Sequence, residues 1–265
     1  METLSSTRHP RLRKFRSLAR EARARKEAGL CVAEGPKLAQ EALAAGAVIR
    51  EFLVTAEFLA QPSQAGLLEA LRRAGARGSQ VPEALFANVS DAESPQGIML
   101  SLEPPKLSPG IALGGLMLAA HELQDPGNLG TLLRSARACG AAQAFLSPGS
   151  ADAYSPKALR AGAGAQLGMQ VHSDEALEGL IDRCRERSIP TMALVVKGSI
   201  DHRKLEMGPK GALVLVGSEG RGLPERLAEN CSYRVKISYP GSVESLNAGV
   251  AGSILLFEII KKPCK

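Results

Sequence analysis

Apolar positions along the chain repeat in two ways, and each predicts a different set of elements. Leu12, Phe15, Leu18 and Ala22 recur near the helical spacing, with Arg13, Arg16, Arg20 and Arg23 on another face, which predicts an amphipathic helix. Leu30 to Ala33 is a short apolar run, and "EGPKLAQEALAAGA" after it reads as a turn and a helix, with Pro36 in the first turn and Gly46 near the stop. "REFLVT", ending at Thr55, predicts a strand, "AGLLEALRRAGA" a helix, and "GIMLSLE", Gly97 to Glu103, a strand that closes a small α/β unit. The first domain is expected over residues 1–103.

"PPKLSPG", residues 104–110, holds three prolines and a glycine in seven positions, so the linker is placed at 104–111. Beyond it, "LMLAAHEL", "AAQAFLS", "IPTMALVV", "GALVLVG" and "YRVKIS" are nearly continuous apolar runs separated by helical stretches. Strands without polar alternation are expected where helices cover both faces of a parallel sheet, so residues 112–265 are expected to form an open α/β domain. Ligands of such sheets gather beyond the carboxyl ends of the strands.

The totals narrow the function classes. With 265 residues, 45% of them hydrophobic, the chain can bury two cores. No apolar run approaches the roughly 18 residues of a membrane span, so a membrane partner is not expected. Cys31, Cys139, Cys184, Cys231 and Cys264 are scattered singly, and the four histidines share no spacing. Reduced thiols in a cytoplasmic protein, with no metal site, are expected. The chain has no Trp, three Tyr and six Phe, so any binding of nucleic acid must rest on charge and backbone contacts more than on base stacking. Net charge is +6, yet residues 8–26 alone carry nine basic residues against Glu21, a local +8 that leaves −2 elsewhere. Confinement to one segment suits a polyanion footprint on Arg8, Arg11, Arg13, Lys14, Arg16 and Arg20. A solvated basic face and an import presequence are the alternatives.

Three strand-end corners carry the candidate chemistry. "LQDPGNLGTLLRSARACG" follows an apolar run and delivers Asn128 to the entrance of a helix, with Arg134 off its apolar stripe. Free N–H groups and a guanidinium there could grip a phosphate or ribose oxygen; alternatively Asn128 only caps the helix. "LVLVGSEGRGLP" runs from a buried strand into a loop with three glycines around Glu219. Such a loop lets a ligand approach the backbone, or is only a flexible connection. "ISYPGSVESLNAGVAGSILLFE" leads from a strand into a long small-sided helix expected to carry Ser245 and Asn247 in its first turns. "GAGAQLG", residues 162–168, follows no predicted strand and is not read as a dinucleotide fingerprint.

In order, "NLGTLLR" at Asn128–Arg134, "GSEGRGL" at Gly217–Leu223 and "SVESLNAGVA" at Ser242–Ala251 resemble the three motifs of the SpoU (TrmH-like) RNA methyltransferases of the SPOUT superfamily. "CVAEGPKLAQEALAAG" is similar to the L30e-like substrate-binding module that precedes the catalytic domain in ribosomal RNA members. The resemblance implies a trefoil-knotted parallel-sheet α/β domain, S-adenosylmethionine as donor, a homodimer and 2'-O-ribose methylation of ribosomal RNA; a transfer RNA 2'-O-methyltransferase and a non-catalytic RNA-binding or ribosome assembly protein are the alternatives. By the same resemblance Gly217, Ile237 and Leu246, with Val196 and Gly222, hold the cofactor. Asn128, Arg134, Glu219, Ser245 and Asn247 are the matched polar positions around catalysis, and Arg160 faces RNA. Two positions depart from the pattern. The family often carries Ile-Pro-Met where this chain has Ile237-Ser238-Tyr239, and R-A-S-x-G-A where "RAGAGA", residues 160–165, places Gly162 at the serine.

Overall fold

The computed structural model describes residues 1–111, 113–205 and 207–261; Cys264 lies outside them. The chain divides into two compact units, one of Met1–Pro105 with Tyr154–Leu167, the other of Lys106–Ala153 with Gly168–Lys265.

In chain order the strands and helices of the first unit are β1 (Glu2–Thr3), α1 (Pro10–Arg20), α2 (Ala22–Ala28), β2 (Cys31–Glu34), α3 (Pro36–Ala44), β3 (Ile49–Val54), α4 (Ala56–Leu59), α5 (Ala65–Arg73), β4 (Arg77–Gln80), α6 (Glu83–Val89) and β5 (Ile98–Leu102). The strands form one sheet in the order β1-β4-β3-β5-β2, with β5 antiparallel to both its neighbours. Period-two alternation splits its side chains between two cores. Ile98, Leu100 and Leu102 pack on one face with Phe52, Val54 and the helices α3 and α5, while Met99 packs on the other with Leu53, Phe15 and Phe86. Leu12, Phe15 and Leu18 are the buried stripe of α1, as the spacing predicted, although the helix ends at Arg20 and Ala22 begins a second, shorter one.

Much of the basic leader's charge is engaged inside this unit. Arg11 donates to Glu51 at 3.0 Å and to Glu2 at 3.1 Å, and Lys14 donates to Glu51 at 2.7 Å. Arg25 is buried and donates to the Leu18 carbonyl at 2.8 Å. On α1 the exposed cations are Arg13, Arg16 and Arg20, spaced three and four apart on one side; Arg20 also reaches the Asn88 carbonyl.

A helix from later in the chain completes this unit: α8 (Pro156–Ala161) packs beside β2, and Leu159 and Leu167 are buried in the core that α3 and α5 cover. Arg160 makes a two-pronged bond to Asp91 at 2.7 and 3.1 Å. Beside it, buried Glu34 accepts from the Ser90 hydroxyl at 2.6 Å and from the Gln96 N–H at 3.1 Å. Burial pushes the Glu34 carboxyl above its ordinary range, against the pull of those two donors and of Arg160. Replacing Glu34 by alanine strands both donors, and urea denaturation should register a loss of about 2–4 kcal/mol. An unchanged midpoint would contradict this account of the 90–97 loop.

The second unit contains β6 (Gly115–Ala120), α7 (Pro126–Ala138), β7 (Gln143–Leu146), β8 (Gln170–His172), α9 (Leu177–Glu186), β9 (Thr191–Leu194), β10 (Ile200–Asp201), β11 (Gly211–Val216), α10 (Glu225–Glu229), β12 (Tyr233–Lys236) and α11 (Ala248–Ile260). Its seven strands are parallel throughout, in the order β10-β12-β9-β11-β6-β7-β8. All six residues of β11 are buried, which is why the sequence reads there as one unbroken apolar run. Leu177, Leu180 and Ile181 of α9 and Leu227 of α10 pack in one core with Leu213 and Leu215. Helix α11 lies against α7 and β11, and Gly252 faces the Leu132 and Val216 side chains so closely that a β-carbon would collide with them.

Strand β12 sits between β9 and β10, two strands that follow one another in the chain. Leu194 and Ile200 are both paired with Val235, on its two sides. The five residues Val195–Ser199 therefore arch across β12. Val195 donates its N–H to the Val235 carbonyl at 2.8 Å. A β-carbon on Gly198 would lie 2.6–2.8 Å from backbone atoms of Arg234, Val235 and Lys236.

Candidate functional site

Strands β6, β9, β11 and β12 are consecutive neighbours in the order β12-β9-β11-β6, all parallel, so their carboxyl ends share one edge of the sheet. The segments leaving those ends are 121–125, 195–199, 217–224 and 237–247. Each candidate catalytic and cofactor residue of the second unit lies in one of these segments or in the helix that follows it.

Helix α7 starts at Pro126 because Asp125, in extended conformation, accepts the Asn128 N–H at 2.8 Å and Pro126 supplies a first-turn residue with no N–H to satisfy. Asp125 is thus the cap, which frees the Asn128 side chain. Asn128 donates through Nδ2 to Glu219 Oε1 at 2.6 Å, and its Oδ1 accepts from Asn247 Nδ2 at 3.0 Å. Two corners, 91 and 119 residues further along the chain, are joined to the first by two hydrogen bonds through one carboxamide. A carboxamide suits this place because it donates and accepts at once.

Asn247 closes the chain in a second way. Its Oδ1 accepts the Val250 N–H at 3.2 Å, so it is the cap of α11 and sits before the helix, not within its first turns. Ser245 lies further upstream, exposed in the segment between β12 and α11. The expectation of both residues inside the helix is corrected by this cap: an Asn with a non-helical backbone, ψ 137°, satisfies a free N–H that a helical Asn could not. Gly249 lets the start of α11 approach the Asn128 carbonyl, and Ser253 donates to Ser135 at 2.7 Å, pinning α11 to α7.

Glu219 stands in a loop that doubles back on itself. Gly222 donates its N–H to the Ser218 carbonyl at 2.9 Å, and Gly222 has a left-handed backbone, φ 65°. Gly217 is packed against the Gly222 and Leu223 backbone with no room for a β-carbon, whereas Gly220 and Gly241 look onto open space. The neighbouring segments carry apolar side chains without apolar cover: Val196 is 69% exposed in the arch and Val243 is 58% exposed before α11. Ile237 and Leu246 are half-buried. Tyr239 donates to the Val243 carbonyl at 3.0 Å, folding that segment back.

Arg134 is exposed on α7, and none of the other described residues makes a hydrogen bond or ion pair with its guanidinium. Asn128, Glu219 and Asn247, by contrast, are tied to one another. Backbone amides, small residues and uncovered valines fit a neutral flat ring; a lone guanidinium fits an anionic oxygen. Among the described residues no group of His, Cys, Asp and Glu could hold a metal ion, and no helix is long and apolar enough to cross a membrane. Sequence reasoning missed Asp125 as the cap; its position three residues before Asn128 was the available signal. Nothing local signalled the Ser135–Ser253 pair.

Residues 115–257 match the SpoU rRNA Methylase family, and residues 9–100 match the MRM3-like substrate binding domain. An uncharacterized tRNA/rRNA methyltransferase of Synechocystis sp. is 29% identical over 259 residues, 97% of this chain and 92% of that protein. The 23S rRNA (guanosine(2553)-2'-O)-methyltransferase RlmP of Bacillus subtilis is 27% identical, covering 98% of this chain and 99% of the relative. The crystal structure of an AdoMet-bound rRNA methyltransferase from Sinorhizobium meliloti superposes with a TM-score of 0.82 at 26% identity, over 97% and 96% of the two chains.

Proposed function

The chain belongs to the SpoU rRNA methylase family, and on that premise we propose that it methylates a ribose 2'-hydroxyl of large-subunit ribosomal RNA, with S-adenosylmethionine as donor. The observation that carries this reading is the Glu219–Asn128–Asn247 chain, which draws all three strand-end motifs together at the start of the helix that also carries Arg134, a guanidinium without a protein partner among the described residues.

The donor fits the residues present. Gly217 and Gly222 shape the loop after β11, Gly220 leaves backbone open, and Val196, Ile237 and Leu246 offer apolar surface; these groups would hold the adenosyl part. When bound, S-adenosylmethionine supplies a methyl group on a positively charged sulfur, which needs no acid to leave. The protein's own task is then to align the 2'-oxygen and to stabilise the negative charge that develops on it. Arg134 performs the second task as a fixed cation. Asn128 and Asn247 hold the corner of α7 and α11 in register, and Glu219 fixes Asn128. Ser245, two residues before Asn247, is assigned as a further polar contact for the ribose.

The arch of Val195–Ser199 over β12 is a crossing of the kind that the family's trefoil knot requires, and it supports that part of the reading. Val250, Phe257 and Ile260 are large apolar residues left exposed on α11, which suits a homodimer built on that helix. Arg8, Arg13, Arg16 and Arg20 serve RNA; Arg11, Lys14 and Arg160, bonded to carboxylates, hold the substrate-binding unit in shape. A ribosomal RNA substrate goes with work in the cytoplasm.

Incubation of the protein with labelled S-adenosylmethionine and fractionated ribosomal and transfer RNA is expected to label one ribose of the large-subunit RNA. Label confined to transfer RNA would reassign the substrate. Donor binding without transfer to any RNA would overturn the enzymatic reading.

A further inference from the structure

At the outer edge of the second unit's sheet lies a hollow of about 410 Å³ lined by Ser199, Asp201, Arg203, Lys204, Lys236 and Ser238. Among the described residues no apolar or aromatic side chain lines it, which disfavours a nucleobase or a hydrophobic ligand as its occupant. Those lining residues comprise three cations and one carboxylate. The carboxylate is already engaged: Asp201 accepts from the Arg203 N–H at 3.0 Å and from its guanidinium at 2.8 and 2.9 Å, and it also accepts from the Ser238 hydroxyl. His202 Nδ1 stands 3.4 Å from the same carboxylate. The Arg203 guanidinium, followed by Ser238 and then Arg203's own N–H, holds the Asp201 carboxyl well below the usual carboxylate range, so it remains an anion and a tether throughout the working pH.

Lys204 and Lys236 are different. Both are exposed, and neither ammonium group has a hydrogen bond or ion pair to the other described residues. Lys236 is the last residue of β12, and Ile237 of the proposed cofactor segment follows it directly. Ser238, which stands where the resembled family often has proline, supplies the hydroxyl that joins this segment to Asp201; proline has no such donor. A floor made by Asp201, Arg203 and Ser238 therefore carries at its rim two ammonium groups without a partner among the described residues, one of them directly before Ile237 of the proposed cofactor segment.

We propose that this hollow, with Lys204 and Lys236 as its charged groups, seats a phosphodiester of the RNA strand that flanks the methylated ribose. The assignment rests on the reading of the protein as an RNA methyltransferase and adds the place where the strand is held in the catalytic unit. The donor has no phosphate, and the all-polar lining offers nothing to its adenine ring.

The test uses the full chain and a transcript of large-subunit ribosomal RNA, with binding read by anisotropy across a salt series. K204Q/K236Q should weaken binding on the order of tenfold at low salt and flatten the dependence of log K on log salt by about 1 for each lysine lost. K204R/K236R should restore both. Neutralising Lys210, at the amino-terminal edge of the same sheet, is the control for net charge and should change the slope less. S-adenosylmethionine affinity, measured by calorimetry, should stay as in the wild type. Unchanged RNA affinity and slope in K204Q/K236Q would overturn the proposal. So would weakened donor binding with RNA binding intact, which would give the hollow to the donor's carboxylate. These are binding readouts, so absence of methyl transfer by the wild type would count against the enzymatic reading and leave this one to be judged separately.

Discussion

Arg134→Ala is expected to slow methyl transfer by on the order of 10²–10³-fold while leaving S-adenosylmethionine affinity within about twofold. The reasoning starts from what the residue lacks. Asp125, Asn128, Glu219 and Asn247 are each engaged by the protein, whereas Arg134 is exposed with no described group bonded to it. An unengaged guanidinium next to an otherwise locked corner contributes little to folding, so its removal should not disturb the urea midpoint. It contributes where charge develops during the reaction. The loss should therefore appear in single-turnover rate, not in donor binding. Arg134→Lys keeps the charge and loses the planar fork, and should recover only part of the rate. A wild-type rate in Arg134→Ala would remove the residue from the mechanism, and a proportional fall in donor affinity would move it into the cofactor site.

Gly198→Ala is expected to cost about 3 kcal/mol of stability and most of the affinity for the donor. An added β-carbon would lie 2.6–2.8 Å from the Arg234 oxygen, the Val235 carbonyl carbon and the Lys236 nitrogen. All three are backbone atoms of a strand held on both sides, by β9 and by β10. A flexible side chain could rotate away; a paired strand cannot. The arch has to lift, and with it the Val195–Val235 hydrogen bond and the position of Val196. Guanidinium denaturation and calorimetric titration of the donor would each detect this. Gly220→Ala, where the new methyl meets open space, is the matched substitution and should leave stability nearly unchanged. Equal behaviour of the two variants would refute the account of the arch.

How much of this could be read from the sequence depended on whether a signal was local. The stripe of Leu12, Phe15 and Leu18 and the buried run of β11 obey short periods, and the structure has them as predicted. Strand β4, "RGSQ", has no apolar pattern because only Ser79 of its four residues is buried; it forms by pairing with β3 and β1. Strand β10 is two residues long and owes its existence to β12. At the site, the residue types were legible, since Asn128, Glu219 and Asn247 stand at turn-rich strand ends. Their mutual bonds were not, because 91 and 119 residues separate the partners. The same limit applies to charge. Arg11 and Lys14 look like a free basic face until Glu51, from another strand, neutralises them.

Leu159 and Leu167 complete a core whose other residues end before residue 105. A ribosome making this protein has consequently released the entire amino-terminal sheet, and the first part of the next one, before the earlier core can be finished. Until then the surface of β2 and α3 that will receive α8 is wet apolar area, a place for a chaperone to hold the nascent chain. Genetically, the insertion also means that neither half can be exchanged between proteins by a single cut at the proline-rich junction, since residues 154–167 would travel with the wrong partner.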